Sequence, residues 1–190
     1  MSEKNEIALQ AFELQLDTAF KYGVNLSTRS IPIIGEISSD TFAFLDTALT
    51  ILEQQSKATI TLKINSPGGS VYDALAIVAR IQSSKCKIVT EVYGACMSAA
   101  TMILASGKLR RMSKISWVMH HEAGYYADGT HTQIKHLTEQ MDREEKIWVS
   151  TMAALTGTPA KFWAEEGRLG KDLYLDSEQC LNLGIVDKIF

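Results

Sequence analysis

The run Thr59-Ile60-Thr61-Leu62-Lys63-Ile64-Asn65-Ser66-Pro67-Gly68-Gly69-Ser70-Val71 decides how this chain is built. Thr59–Ile64 is β-branched and apolar, as a buried strand is, and it runs directly into a Pro-Gly-Gly turn signal. Apolar residues then recur at helical spacing from about Val71 to Ile81, so the unit reads strand, glycine turn, helix. The same order repeats on both sides. Upstream, Arg29–Ile37 reads as a strand, and Ser38-Ser39-Asp40 offers N-caps to a helix carrying Phe42, Leu45, Leu49 and Leu52. Downstream, Lys87–Tyr93 reads as a strand, followed by a Gly94-Ala95-Cys96-Met97 loop and a short apolar helix from Ser98 to Ala105. Strands alternating with helices predict an α/β fold with mainly parallel pairing.

The remaining pattern fits that frame. Ser116–His121 reads as a strand and Gly124–Gly129 as a hairpin or loop, before the longest helical stretch, about His131 to Leu155. A helix after Pro159, a strand at Leu173–Leu175, a short helix near Glu178–Leu183 and a strand at Ile185–Ile189 close the chain. At the other end, Ile7, Ala8, Ala11, Phe12, Leu16, Ala19 and Phe20 predict an amphipathic first helix. No linker or repeat interrupts the chain, and 190 residues with 46% hydrophobic content make one domain with its own core.

Composition excludes several function classes. A net charge of −3 with no basic run argues against a nucleic-acid binder. The longest uncharged stretch, 16 residues between Glu91 and Lys108, includes Gly94, Ser98, Thr101, Ser106 and Gly107. A membrane-spanning helix needs about 20 predominantly apolar residues. The polar opening Met1-Ser2-Glu3-Lys4-Asn5-Glu6 is not a secretory signal. Cys86, Cys96 and Cys180 are odd in number and widely spaced, which suits a reducing, cytoplasmic compartment.

Four segments have chemistry to offer. Gly68-Gly69 before a helix lets backbone approach a ligand closely, though taken alone an ordinary strand-to-helix turn is the simpler reading. Ser98 opens a helix with small neighbours; taken alone, a serine there is an N-cap, and the G-x-S-x-G elbow is absent. His120 and His121 end an apolar strand, and since adjacent strand residues face opposite ways, at most one addresses a given site. Asp172 precedes the Leu173-Tyr174-Leu175 run, where a strand-edge carboxylate can orient an imidazole. His121, Glu122, His131 and His136 match no recognised metal-ligand spacing, so no metal is expected.

Taken in order, these segments resemble the ClpP family of serine peptidases. Ser98 follows Gly69 by 29 residues, His121 follows Ser98 by 23 and Asp172 follows His121 by 51. The resemblance runs from about Ile31 to Ile189 and includes the closing Gly184-Ile185-Val186-Asp187. It implies a ClpP/crotonase-like spiral of ββα units, one peptidase domain over residues 1–190, with a handle at 123–155. Ser98 is implied as nucleophile, His121 as general base and Asp172 as the group that holds the imidazole tautomer. The backbone N–H groups of Gly69 and Ala99 are implied as the oxyanion hole. No cofactor is called for. The partners implied are peptide or unfolded-protein substrate, further copies in a heptameric ring or stacked rings, and a separate AAA+ unfoldase. This chain carries no G-x-x-x-x-G-K-[ST] loop of its own. Ile134, Leu137, Met141 and Trp148 suit an assembly face, and would equally serve a monomer core.

The chain also departs from the family pattern. Residues 1–28 are a divergent helical segment in place of the axial loop, and Glu122-Ala123 stands where Gln-Pro is usual. These departures admit a divergent paralogue or a phage-type protease of head maturation. Rival readings are a Ser–Lys dyad peptidase using Lys146, a crotonase-fold acyl-CoA enzyme, and a non-catalytic ring subunit. Cys96 as nucleophile is a further rival, its simpler role being a small buried hydrophobe.

Overall fold

The computed structural model describes residues 5–7, 9–10, 12–13, 23–168 and 170–190. Its elements run β1 (Ser30–Ile37), α1 (Ser39–Gln55), β2 (Ile60–Gly69), α2 (Val71–Gln82), β3 (Ile88–Met97), α3 (Ala99–Ala105) and β4 (Leu109–Met112). They continue with β5 (Trp117–His120), α4 (His131–Thr156), α5 (Ala160–Arg168), β6 (Leu173–Leu175), α6 (Ser177–Asn182) and β7 (Lys188–Ile189). Among the described residues the strands form one mixed sheet, β1-β2-β3-β4-β7, with β5 on β3 and β6 on β5. Every pairing is parallel except β5–β6. The α/β fold with mainly parallel pairing is the one the alternation of elements predicts.

Local signals explain the elements. Ser38 caps α1 in a reciprocal capping box with Thr41, and Ser70 caps α2 through the Asp73 N–H. Thr130 and Gln133 form the capping box of α4, which Gly157 ends at φ +77°. Strand β2 alternates strictly, burying Ile60, Leu62 and Ile64. These residues, with Ile31, Ile33 and Ile88, pack on Leu45, Leu49 and Leu52 of α1, Ile77 of α2 and the fully buried α3. Each such side chain contributes about 1.5–3 kcal/mol on burial. Arg80 ties α2 to α1 through Asp46 (2.6 Å) and Glu53 (2.9 Å).

Several elements differ from the sequence reading, among them the closing strand, which spans Lys188–Ile189 and not Ile185–Ile189. Strand β2 continues through the supposed turn, because Gly68 (φ +96°) and Gly69 (φ +149°) let the chain stay paired with Glu36 and Ile37. A register shift between Ile34 and Glu36 accommodates this. Likewise β3 runs through Gly94–Met97, because Ala95, Cys96 and Met97 pair with Trp117, Val118 and Met119. Strand β4, hidden in the sequence by Arg110-Arg111, pairs with β3 and β7.

Described residues of the N-terminal segment are helical, with Ile7 and Phe12 exposed; Ala8, Ala11, Leu16, Ala19 and Phe20 lie outside the described residues. The four apolar residues picked out on α4 divide. Ile134 and Leu137 are exposed, whereas Trp148 packs against the core and Met141 lines a cleft. Among the described residues no helix is long and apolar enough to cross a membrane.

Candidate active site

Strands β2, β3 and β5 are parallel, so their carboxyl ends meet at one edge of the sheet, where α/β folds place their ligands. Each ends in a residue group singled out by sequence: Gly68-Gly69, Ser98 and His120-His121. Ser98 makes a sharp strand-to-helix turn at φ +52°, ψ −126°, a conformation that costs a non-glycine residue about 1–3 kcal/mol. Its side chain makes no capping hydrogen bond to α3. Instead Ser98 Oγ lies 2.8 Å from His121 Nε2, and its N–H donates to the Met119 carbonyl at 2.7 Å. The N-cap explanation of this serine is therefore excluded.

The glycines serve close approach. A Cβ on Gly68 would stand 2.6 Å from the Met97 carbonyl oxygen, 2.7 Å from Ser98 Cβ and 3.1 Å from the Ala99 nitrogen. One on Gly69 would strike Ile37 backbone at 2.3 Å. The Gly68 N–H donates to Ser66 Oγ at 3.1 Å. Ala99 begins α3, so its N–H has no intrahelical acceptor.

Strand register brings the acid to the imidazole. In the antiparallel β5–β6 pair, Met119 faces Tyr174 and His120 faces Leu173. One further step sets His121 against Asp172, with His121 Nδ1 3.5 Å from Asp172 Oδ1. That separation is a charge contact rather than a strong hydrogen bond. The two side chains are 34% and 50% exposed. His120 takes the other side: its Nε2 meets the Trp163 carbonyl at 3.2 Å, and its ring stacks on Trp148 and meets Trp163 edge-on. Burial pushes the His120 pKa down, so it is neutral at pH 7. Only His121 of the pair reaches Ser98.

Ser98 and His121 open into a cleft of about 330 Å³. Its walls include Val71, Tyr125, Met141, Glu144, Trp148 and Trp163. Sequence reasoning missed Tyr125, Glu144 and Trp163, because only the docking of α4 and α5 brings Glu144 and Trp163, both buried, and the half-exposed Tyr125 together at the cleft. An acid within a long polar helix gives no local sign of it.

The rival residues lie elsewhere. Cys96 is wholly buried, and burial pushes its thiol well above the ordinary value, so it is no nucleophile. Lys146 is on the exposed face of α4, outside the residues lining the cleft. His131 and His136 are also exposed on α4, and among the described residues no group of three or more His, Cys, Asp or Glu gathers to hold a metal.

A serine hydroxyl at a sharp turn, hydrogen-bonded to an imidazole at the carboxyl edge of such a sheet, is equipped for acyl transfer as a serine-type endopeptidase. The Clp protease family model matches residues 16–190, and the chain belongs to that family. The ATP-dependent Clp protease proteolytic subunit 3 of Rhodococcus jostii (strain RHA1) is 29% identical over 164 residues, spanning 85% of this chain and 80% of that protein. A ClpP1 point mutant from Listeria monocytogenes shares the fold, with a TM-score of 0.79 at 23% identity over 87% of this chain and 92% of that one.

Proposed function

We propose that this Clp-family proteolytic subunit hydrolyses peptide bonds with Ser98 as nucleophile, His121 as general base and Asp172 as the carboxylate that holds His121. The observation that carries the reading is the 2.8 Å contact between Ser98 Oγ and His121 Nε2. A serine hydroxyl needs such a base, and free imidazole, with a pKa of about 6.5, suits neutral pH. As Oγ attacks the scissile carbonyl carbon, its proton passes to His121 Nε2. The carbonyl oxygen becomes an oxyanion, which takes hydrogen bonds from the N–H groups of Gly69 and Ala99. His121 then gives the proton to the leaving amine, and water releases the acyl group by the same steps.

The protomer works within a homo-oligomeric ring in the cytoplasm, as a single peptidase domain. Two features support assembly: the exposed Ile134 and Leu137 on α4, and the outer sheet face, which leaves Ile34, Tyr93, Trp117 and Tyr174 exposed. A parallel sheet is ordinarily covered on both faces. The Rhodococcus relative is described as ATP-dependent. Since this sequence has no phosphate-binding loop, ATP use in this system falls to a separate unfoldase.

Fluorophosphonate labelling read by intact mass tests the reading. One adduct per chain is expected on the wild type and none on Ser98→Ala or His121→Ala. An assembled wild type that takes no adduct would overturn it.

A further inference from the structure

Glu144, only 4% exposed, lies in the wall of the Ser98 cleft. Its Oε1 accepts hydrogen bonds from the Tyr72 hydroxyl and from Gln140 Nε2 (3.1 Å), and its Oε2 accepts one from the Tyr125 hydroxyl (3.0 Å). All three donors are neutral. Among the described residues no lysine or arginine lines the cleft. Burial pushes the Glu144 carboxyl up, but these hydrogen bonds outweigh it and hold the group below its ordinary value, so it is an anion at neutral pH. Tyr125 accordingly is pushed up to about 12, by burial and by the Glu144 charge. A carboxylate has about four lone-pair sites. Three are occupied here, which leaves one on Oε2 open.

A second, independent group in the same cleft also lacks a donor. His120 is 2% exposed, and its Nε2 faces a carbonyl oxygen, which only accepts. Nε2 therefore carries the proton, and Nδ1 presents a lone pair with no partner among the described residues. The indole N–H groups of Trp148 and Trp163 are also unpartnered; as donors they suit a peptide carbonyl and do not discriminate a side chain by charge. Val71 and Met141 offer contact to an aliphatic stem, and Trp148 and Tyr125 add aromatic surface to the same cleft.

We propose that Glu144 makes the Ser98 cleft selective for peptides carrying a lysine or arginine side chain immediately before the scissile bond. The proposal rests on the serine-endopeptidase reading and names its substrate class. An ammonium meeting the open Oε2 site gains Coulomb attraction at intermediate dielectric, offset by its own desolvation; a preference of about tenfold to a hundredfold over an uncharged side chain follows.

The test measures adduct formation at Ser98 by intact mass with two diphenyl phosphonates, one carrying a lysine-type aminobutyl side chain and one a leucine-type isobutyl side chain. Each rate is divided by that of a plain fluorophosphonate on the same protein. The wild type should favour the aminobutyl probe by at least about tenfold, and Glu144→Gln should bring the ratio to about one or below. Glu144→Asp, which keeps the charge, should retain a preference of the same sign. A wild type that reacts equally fast or faster with the isobutyl probe overturns the proposal without recourse to any variant. So does a Glu144→Gln protein that keeps the full preference. Labelling by the plain fluorophosphonate without cation preference sinks the specificity alone, while no labelling by any probe sinks both readings.

Discussion

Replacing Gly68 by alanine separates what the close approach of β2 to the Ser98 turn contributes from what a strained backbone costs. Gly68 has φ +96° and Gly35 has φ +81°, so alanine at either position meets a comparable conformational penalty, about 1–2 kcal/mol. Their surroundings differ. At Gly35 a Cβ meets nothing within 4 Å, whereas at Gly68 it stands 2.6 Å from the Met97 oxygen and 2.7 Å from Ser98 Cβ. Those atoms belong to the turn itself and cannot swing aside as the tip of a flexible side chain would. Restoring ordinary contact, which begins at 3.4 Å, means opening the seam between β2 and the Ser98 turn by most of an ångström. A misplacement of about 1 Å at a reacting centre costs on the order of 10²-fold in rate.

Fluorophosphonate labelling of Ser98 and urea unfolding, run on wild type, Gly35→Ala and Gly68→Ala, read the two effects apart. Gly35→Ala should lose about 1–2 kcal/mol, and Gly68→Ala at least about 1 kcal/mol more than that. Labelling should slow about a hundredfold in Gly68→Ala and by no more than a few-fold in Gly35→Ala. If Gly68→Ala labels as fast as Gly35→Ala, the close approach of β2 to the Ser98 turn is not what makes Ser98 reactive.

Asp172→Asn should slow labelling by only about 10- to 100-fold in the unassembled chain, because the carboxylate is half exposed and 3.5 Å from His121; a loss near the 10⁴-fold seen where such an acid is fully buried would show a tighter pair. His120→Phe should flatten the pH dependence of stability. Burial lowers the folded pKa of His120, so below about pH 6.5 the unfolded chain takes up the proton first and stability falls as pH falls. Urea midpoints between pH 5 and 7 check this, and an unchanged slope in the variant would be the wrong result. At pH 8 the variant should be about 1 kcal/mol less stable, since the Trp163 carbonyl loses its donor.

The parts of the fold that depend on neighbours in sequence were legible there. Ser38-Ser39-Asp40 announces the helix that follows it, and the β-branched run Thr59–Ile64 announces a strand, whose alternation of buried and open positions the structure adds. Pro67-Gly68-Gly69 misleads as a turn, because glycine signals unusual φ without saying whether the chain reverses or stays paired. Residue chemistry alone left Ser98 as an N-cap; only its distance to His121 distinguishes the two roles. Asp172 was one acid among 22 until resemblance picked it out, and the physical reason for its place is the β5–β6 register, which no local pattern carries. Glu144 shows the limit most clearly. Its neighbours on α4 are the charged Asp142, Arg143, Glu145 and Lys146, and Tyr72 and Tyr125, which pair with it, lie 72 and 19 residues away.

The register that sets His121 against Asp172 also puts an exposed apolar face beside the site, on the surface proposed above for assembly. Along β5 and β6, Trp117, Met119 and His121 alternate onto one side of the pair with Tyr174 and Asp172, while Val118, His120, Leu173 and Leu175 take the other. The second set is covered by the protomer's own helices, whereas Trp117 and Tyr174, together with Ile115, remain exposed around an apolar hollow that includes Met97. A second copy seated on that surface would exclude water close to Asp172, and lower local dielectric strengthens its attraction for protonated His121. The labelling rate per chain should therefore rise as the protein assembles, by about tenfold for each 1.4 kcal/mol gained in that attraction. Sedimentation across a dilution series, paired with labelling at each concentration, reads this directly. Equal rates for dissociated and assembled chains would mean that the Asp172–His121 contact owes nothing to the neighbouring subunit, and that the bare face beside it serves some other end.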